Sequence, residues 1–520
     1  MGQHPLTEEE MLEALEAYGK HQTKTEAARA LGLHVNTYRN RLSQAQIWWA
    51  ETHGAGEIDP TKVETAEGRR FILTSAQSGT KIFKPFWQNL LTYAKFRGAE
   101  LMVSRYRYNI SSQQAKQSKT DSTASNADWY APEVEEFAFD KRVRLCDGLI
   151  FAGDMNIMPT AVDPLSGLDS FTGLESCIFP HAKIALKSIP TAMDDPPKKN
   201  YTTGTVTLSN YIQRKAGQKA EFHHAYGALF VEIDDDGDFF VRQLNANEDG
   251  SFFDLDIRVR DGKIGRSRIA AFSAGDIHAR NIDPTVMRAT WGDGGLVDTL
   301  KPETQFLGDV LDFESRSHHN NIFDSYRLHV DGAESVEDEV KETFDCLSSM
   351  TRPFCRTYIK KANHDEHLER WLRDSNFKTD LVNAIFYLEA MTAKLKSIRD
   401  KDDSFDLLEW AMGRHGDLDA TFLPRNQSMV IAGVDMGQHG DLGPNGSRGS
   451  ARNLSRAGRK ANIEHSHSAQ IVDGLYQAGT STRLDMSYLR GPSSWSHCHI
   501  ITDENGKRQM IELKNGKWRA

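Results

Sequence analysis

The chain has 520 residues, 39% of them hydrophobic, and a formal net charge of −10. This length exceeds what one compact core usually needs, so we expect about two to four domains. The acidic balance argues against a general coat for nucleic acid, although a local basic surface can still bind phosphates.

The cysteines and the apolar runs argue against two further classes. The five cysteines lie far apart and form no C-x-x-C pair, which disfavours a disulfide framework and a zinc knuckle and favours a reducing compartment. No stretch approaches about 18 uninterrupted apolar residues, and the N-terminus lacks the basic and apolar run of a signal peptide. We therefore expect a cytoplasmic protein with no membrane contact.

The first 45 residues predict three short helices. In the third, from about His34 to Ala45, Val35, Tyr38 and Leu42 recur at helical spacing and face a core. The segment TEAARALGLHVNTYRNRL resembles a helix-turn-helix of the Fis-like or resolvase-like kind. The resemblance implies that residues 1–48 contact DNA, and a protein-interaction module is the alternative. The candidate DNA contacts are Asn36, Thr37, Arg39, Asn40 and Arg41.

A linker and an α/β accessory domain are expected next. Residues 49–68 are polar and contain Gly54, Gly56 and Pro60, which is typical of a linker. Residues 69–265 begin with a β-α-β pattern, and a later segment predicts a hairpin around Asp235–Gly237. Nothing in this part indicates its role.

From about residue 266 onwards, metal-ligating side chains follow short apolar runs of the strand type. The clusters are Asp276-Ile277-His278, Gly308-Asp309 with Asp312, Asn363-His364-Asp365, His439, and His465 with His467. In extended chain, residues two apart point the same way, so both side chains of D-x-H or H-x-H can reach one ion. His497 and His499 form a second H-x-H, which strand alternation explains adequately.

The order D-x-H, GD-x-x-D, NHD, H, H-x-H resembles the calcineurin-like metallophosphoesterase superfamily over roughly the last half of the chain. The resemblance implies an α/β fold in which residues 266–520 form a four-layer α/β/β/α sandwich. The family usually has glycine where Ala362 and Glu464 stand, but neither change removes a ligand. Phe313-Glu314 replaces the Arg-Gly of phosphoprotein phosphatases. The pattern is nearer the double-strand-break repair nucleases, and a bacteriophage nuclease is a related interpretation.

Carried over residue by residue, the resemblance implies two divalent cations bridged by Asp309. The first set of ligands is Asp276, His278, Asp309 and His467, and the second is Asp309, Asn363, His439 and His465. Imidazole and carboxylate ligands suit Mn²⁺, Fe²⁺ or Zn²⁺, and the nuclease analogy favours Mn²⁺. The resemblance also implies a bridging hydroxide nucleophile, with His364 facing the leaving oxygen and Asp312 orienting His364.

A basic run lies between the last two clusters. Its arginines are Arg448, Arg452, Arg456 and Arg459. Because metal ligands flank this run on both sides, its guanidinium groups are expected near the phosphates of a substrate. A solvated loop is the alternative.

These patterns together predict a metal-dependent DNA nuclease that acts as a homo-oligomer, and a separate protein partner is a further expectation. If the protein is phage-encoded, it would act in the host cytoplasm. A phosphodiesterase or phosphatase for small nucleotides or phosphoproteins is the second interpretation. The third is a DNA-binding regulator with a vestigial metal site.

Overall fold

The computed structural model describes residues 6–20, 24–53, 63–108, 129–486 and 489–520. By its internal contacts the chain divides into two compact units, residues 1–63 with 170–173 and residues 64–169 with 174–520. Among the described residues, no helix has the length and apolar character needed to cross a membrane.

Helices and strands alternate along most of the described chain. The helices are α1 (Glu8–Lys20), α2 (Lys24–Ala30), α3 (Val35–His53), α4 (Lys84–Arg97), α5 (Lys215–Phe222), α6 (Pro284–Trp291), α7 (Leu296–Leu300), α8 (Ile322–Val330), α9 (Val336–Met350), α10 (His367–Asp374), α11 (Ala384–Asp400), α12 (Leu407–Met412) and α13 (Ala451–Leu454). The strands are β1 (Arg70–Gln77), β2 (Glu100–Tyr106), β3 (Arg142–Cys146), β4 (Leu149–Ala152), β5 (Ser176–Phe179), β6 (Leu186–Ile189), β7 (Lys198–Thr202), β8 (Gly227–Ile233), β9 (Phe239–Asn245), β10 (Phe252–Asp254), β11 (Ile257–Arg260), β12 (Lys263–Arg266), β13 (Ile269–Ser273), β14 (Thr304–Gly308), β15 (Arg356–Lys360), β16 (Ala420–Leu423), β17 (Val430–Ile431), β18 (Val434–Asp435), β19 (Ala461–Ile463), β20 (Gln470–Val472), β21 (Leu475–Gln477), β22 (Cys498–Asp503) and β23 (Arg508–Glu512). The predicted α/β class is confirmed.

The N-terminal unit contains the three expected helices. Tyr38 and Leu42 are buried against alanines of α1 and α2, as the helical spacing predicts. α3 continues to His53, beyond the end near Ala45 that the sequence predicts, and the linker over residues 49–68 stays a prediction. No glycine or proline interrupts α3 before Gly54, so nothing in the sequence ends the helix earlier. Residues 54–62 of that linker lie outside the described residues.

The β-α-β pattern and the hairpin predicted in residues 69–265 are both confirmed. β1 and β2 run parallel with α4 between them, and β8 and β9 form an antiparallel pair around Asp235–Gly237. These strands form a sheet in the order β2-β1-β8-β9.

The ten-stranded sheet combines strands from both sides of residue 265. Its order is β17-β18-β19-β21-β20-β6-β7-β5-β4-β3, and β20 pairs with β6. The boundary predicted at residue 265 therefore does not separate two sheets. The division into residues 69–265 and 266–520 stays a prediction.

The six-stranded sheet has the order β16-β15-β14-β13-β22-β23, with β13 to β16 parallel. Phe272 and Leu307 point to one face and pack in the core that includes α9, α10 and α12. Ala271 and Phe306 point to the other face and pack with residues of β18 and its flanks. Helices therefore cover one face of this sheet, and part of the ten-stranded sheet lies against the other.

Two glycines bring separate backbones together beside the end of β13. The Asp276 amide donates to the Gly479 carbonyl, with 3.4 Å between nitrogen and oxygen. A Cβ on Gly275 would lie 2.7 Å from the same carbonyl oxygen, and one on Gly479 would overlap the Ser496 carbonyl oxygen. The absence of side chains at both positions is therefore required for this close approach.

We expect Gly479→Ala to lower the free energy of unfolding by about 1–3 kcal/mol, because the Ser496 backbone has to move. Denaturant unfolding followed by tryptophan fluorescence measures the change. Gly265→Ala is the matched control, since its nearest neighbouring atom is 4.0 Å away, and its effect should stay within about 0.5 kcal/mol. Equal effects of the two substitutions would contradict this account.

Candidate metal centre

The carboxyl ends of parallel strands bring the first three clusters together. Asp276 follows β13, Asp309 comes directly after β14, and Asn363 and His364 follow β15. Because these strands are parallel neighbours, their carboxyl ends meet at one edge of the sheet. His439, His465 and His467 come from the chain after β18 and β19 of the ten-stranded sheet. Both sheets therefore supply side chains to one site.

Four of these residues have left-handed backbone. The φ angles are 41° at His278, 50° at Asp309, 77° at His465 and 58° at His467. Such angles are uncommon outside glycine and cost about 1–3 kcal/mol each, so the surrounding packing has to hold them. Strained backbone of this kind clusters at functional sites.

Asp276 and Asp309 lie among imidazoles. Asp276 Oδ2 is 2.9 Å from His467 Nε2. Asp309 Oδ2 is 3.6 Å from His278 Nε2 and 3.4 Å from His439 Nε2. The Asp309 carboxylate therefore lies between the two ligand sets that the resemblance implies.

The donor atoms fit divalent cations. Within each of four groups the donor atoms lie within 4.8 Å of one another. The groups are Asp276–His278–His467, His278–Asp309–His364, Asp309–His439–His465 and Asp276–His439–Glu464. Both ring nitrogens of His278 and of His439 are buried with no partner in hydrogen-bond geometry, and the Asn363 Oδ1 nearby is buried in the same way. Buried polar atoms that lack such partners, in a set of imidazoles, carboxylates and an amide, fit a site for a divalent cation.

Charge at the centre is balanced between carboxylates and imidazoles. Burial opposes the charged form of Asp309, but His364 and His439 outweigh it and hold the pKa of this carboxyl well below its usual range. Burial likewise opposes protonation of His439, yet Asp309 and Asp276 raise its pKa well above the usual value. Burial, followed by the charge of His439, lowers the pKa of His465.

Asp312 faces two histidines rather than the one that the sequence predicts. Its Oδ1 is 3.2 Å from His278 Nδ1 and 3.4 Å from His364 Nδ1. Burial opposes the imidazolium of His364, but Asp309 and Asp312 raise its pKa to about 10. The His364 side chain is 25% exposed and lines a cavity of about 710 Å³ beside Asp309 and Trp495. This imidazole can therefore reach a bound substrate while a carboxylate fixes its orientation.

Asp365 is a structural member of the centre whose role the sequence motifs did not indicate. Its carboxylate accepts hydrogen bonds from the Leu311 amide at 3.0 Å and the Ala362 amide at 2.9 Å. Asp365 thereby ties the loop after β14 to the loop after β15. Its place in the NHD run, directly after two site residues, was the available signal.

Glu464 forms a buried ion pair that the sequence analysis missed. Lys360 Nζ lies 2.6 Å from Glu464 Oε2, and both side chains are at most 1% exposed. The other oxygen, Oε1, is 3.4 Å from His439 Nδ1. A Cβ on Gly308 would overlap this oxygen, so the glycine before Asp309 makes room for Glu464. Glu464 thus places a carboxylate directly behind a candidate ligand, at the position where the superfamily that the sequence resembles usually has glycine.

The arginines of the basic run are divided among different surroundings. Arg448 lines the same cavity as His364 and Asp309. Arg452 pairs with Asp163 at 2.5 Å, Arg459 pairs with Asp435 at 3.2 Å, and Arg456 is exposed. Arg448 is therefore the member of the run that borders the centre itself.

The helix-turn-helix candidates are also divided. Asn36, Thr37, Arg39 and Asn40 are exposed on α3, whereas Arg41 is half-buried and pairs with Glu10 at 2.8 Å. The first four are available to a ligand, and Arg41 has a role in packing α3 against α1.

His497 and His499 stay outside the four donor groups. His497 Nε2 is 2.7 Å from the Thr482 carbonyl oxygen, and His499 Nδ1 accepts from the Gly275 amide at 3.0 Å. Each of these two histidines therefore holds the backbone of a neighbouring segment, which explains the second H-x-H without a metal ion.

We expect metal binding to release protons. Nearby carboxylates raise the pKa values of His278 and His439 against the effect of burial and so favour the protonated rings, whereas a metal ligand has to be neutral imidazole. Affinity for Mn²⁺ should therefore rise from pH 6 to pH 8. Titration calorimetry in buffers of different ionisation enthalpy measures the protons released, and a heat that does not depend on the buffer would contradict the expectation. Asp309→Asn should abolish the high-affinity heat.

We expect Lys360→Met to lower the free energy of unfolding of the metal-free protein by about 3–5 kcal/mol, because it leaves Glu464 buried without a counter-ion. Chemical denaturation monitored by circular dichroism measures it. Lys341→Met, which breaks the exposed pair with Asp345, is the control and should cost about 0–1 kcal/mol. Equal losses of unfolding free energy in the two variants would contradict a stabilising role for the pair between Lys360 and Glu464.

Comparison with known proteins finds a bacteriophage relative that aligns over most of the chain. No protein-family model matches the chain, and no solved structure matches it. The chain is 40% identical over 473 residues to "Protein A1" of Escherichia phage T5, an alignment that covers 88% of this chain and 84% of that protein. Identity at this level over most of both chains shows common descent. The chain therefore belongs to the family of the phage T5 Protein A1.

Proposed function

We propose that this chain is a metal-dependent DNA nuclease whose C-terminal part is of the calcineurin-like metallophosphoesterase type. One observation carries the proposal: six candidate ligands from widely separated segments fall into overlapping groups of three whose donor atoms lie within 4.8 Å of one another, with Asp309 shared between groups. Burying ionised carboxylates costs free energy unless positive charge lies close by. A group of buried carboxylates and imidazoles is therefore unfavourable without a function that requires it.

The proposed ligand sets draw on these groups and add the amide of Asn363. One cation would be held by Asp276, His278, Asp309 and His467, and the other would be held by Asp309, Asn363, His439 and His465. When bound, two divalent cations, Mn²⁺ by our preference and Fe²⁺ or Zn²⁺ otherwise, lower the pKa of water and neutralise phosphate charge. The amide oxygen of Asn363 ligates without adding negative charge where an anionic substrate has to bind.

The remaining site residues hold protons and phosphates. His364 borders the cavity and is held by Asp312, so it can donate a proton to the leaving oxygen. Arg448 lines the same cavity, where its guanidinium can bind the phosphate next to the scissile bond. Trp495 and Gln477 also line this cavity.

DNA is the substrate that the N-terminal unit favours. The exposed Asn36, Thr37, Arg39 and Asn40 on α3 offer donors for phosphates and base edges, in a segment that resembles a helix-turn-helix. The phage relative supports a phage-encoded protein, which would act in the host cytoplasm. Assembly into a homo-oligomer and a further protein partner stay predictions.

The decisive experiment incubates the purified full-length protein with linear, circular and single-stranded DNA, with Mn²⁺ or with EDTA. We expect cleavage in the presence of Mn²⁺ and no cleavage in EDTA. Asp309→Asn should reduce cleavage by at least about 100-fold, and His364→Gln should reduce kcat by about 10²–10⁴-fold while Mn²⁺ still binds. His329→Gln, an exposed histidine paired with Glu334, is the control and should cleave normally.

Two outcomes favour the alternative functions. Hydrolysis of a chromogenic phosphate ester without cleavage of any DNA would favour a phosphodiesterase or phosphatase for small substrates. DNA binding with no hydrolysis, unaffected by Asp309→Asn, would favour a regulator with a vestigial metal site.

A further inference from the structure

A second cavity of about 710 Å³ lies apart from the candidate ligands. Its wall is formed by the chain around His223 after α5, the residues that follow β9, the segment from Ser455 to Lys460, and Gly506 to Arg508. None of the candidate metal ligands lines it. A volume of this size is typical of sites for small molecules, including nucleotides.

The lining of this cavity is strongly cationic in an acidic chain. Its cations are Lys183, Arg459, Lys460, Lys507 and Arg508, and its carboxylates are Glu248 and Asp473. Asp473 is already paired with Lys183 at 2.5 Å and lies 3.7 Å from His223. Arg459 is paired with Asp435. Among the described residues, Lys460, Lys507 and Arg508 form no ion pair with a carboxylate within 4.0 Å.

Arg508 is the fixed part of this cationic wall. It is 5% exposed, its guanidinium lies 4.1 Å from the centre of the Tyr476 ring, and it donates to the carbonyl oxygens of Ala461 at 3.0 Å and Gly474 at 2.9 Å. Burial lowers its pKa to about 10. Burial, then the charge of Lys460, also lowers the pKa of Lys507. Three like charges thus meet at one cavity at an electrostatic cost that a bound anion would remove.

Aromatic rings border the same space. Phe222, at the end of α5, is 83% exposed, and Tyr226 is half-buried against Phe83. An exposed phenylalanine beside lysines is unfavourable in water, but it provides a surface on which a nucleobase can stack. Cations and an exposed ring together match a ligand that carries both a phosphate and a base.

We propose that this cavity binds a nucleotide, with the phosphate at Lys460, Lys507 and Arg508 and the base against Phe222. The nucleotide is either free or the 5′-terminal unit of a single DNA strand, since both present the same chemistry. The proposal is independent of the nuclease function, because no candidate metal ligand belongs to the cavity.

One stretch of the chain, from Arg448 to Lys460, lines both the second cavity and the cavity at the candidate metal centre. Arg448, Ser450 and Asn453 line the cavity at the metal centre, whereas Ser455, Gly458 and Lys460 line the second one. The short helix α13 lies within this segment. A nucleotide bound in the second cavity would therefore contact the same segment that carries Arg448.

Equilibrium binding to the full-length protein in EDTA tests the proposal, with dAMP and a 5′-phosphorylated tetranucleotide as probes. We expect the double variant Lys460→Ala/Lys507→Ala to weaken binding by at least about tenfold. Phe222→Ala should weaken dAMP binding but leave binding of inorganic pyrophosphate unchanged. Lys341→Ala/Lys396→Ala removes two lysines outside the cavity and is the matched control. Far-UV circular dichroism checks that each variant is folded.

Each outcome supports or overturns the proposal. Loss of dAMP binding in the lysine variant supports a free nucleotide, and loss confined to the tetranucleotide supports a strand terminus. The proposal is overturned if neither probe binds the unaltered protein, or if the lysine variant binds both as tightly as the control. Binding abolished by Asp309→Asn, but not by the lysine variant, would assign the ligand to the metal centre instead. DNA cleavage is measured separately, so failure here leaves the nuclease proposal standing.

Discussion

Burial of carboxylates among imidazoles is the constraint on which the rest of the structure depends. Asp276, Asp309 and Asp312 are at most 6% exposed, and an ionised carboxylate in such surroundings costs several kcal/mol unless positive charge lies close by. The surrounding histidines supply that charge, so carboxyl pKa values fall and those of His278 and His439 rise. A divalent cation would supply positive charge at the same atoms, so the arrangement that compensates these buried carboxylates also suits metal binding.

Both sheets supply the side chains that meet this constraint. The parallel strands of the six-stranded sheet deliver Asp276 and Asp309 to one edge, while the segments after β18 and β19 deliver the histidines from the ten-stranded sheet. Left-handed backbone at Asp309 and at His465 turns the chain where the donor atoms have to converge. The pair between Lys360 and Glu464 joins β15 to the segment after β19, and so couples the sheets directly behind His439. Backbone strain at the candidate ligands is thus balanced by ion pairs and close backbone contacts around them.

The segment between β18 and β19 contributes to the walls of both cavities. Its beginning borders the candidate metal centre through Arg448, and its end borders the cationic cavity through Lys460. Arg452 and Arg459 between these points are held by Asp163 and Asp435. The basic run is therefore neither a uniform phosphate-binding strip nor a wholly solvated loop, because acidic partners from elsewhere in the chain select which cations remain available.

The sequence by itself determined the α/β class, the β-α-β unit, the hairpin at Asp235–Gly237 and the residue types able to hold metal, because these depend on local periodicity and on short motifs. It also predicted the helical core around Tyr38 and Leu42. Only the tertiary structure decided that one sheet crosses residue 265, that Asp312 faces His278 as well as His364, and that Lys360 compensates Glu464 across 104 positions. Such pairings depend on how distant segments pack, and the spacing of residues along a single chain does not encode which buried charges will meet.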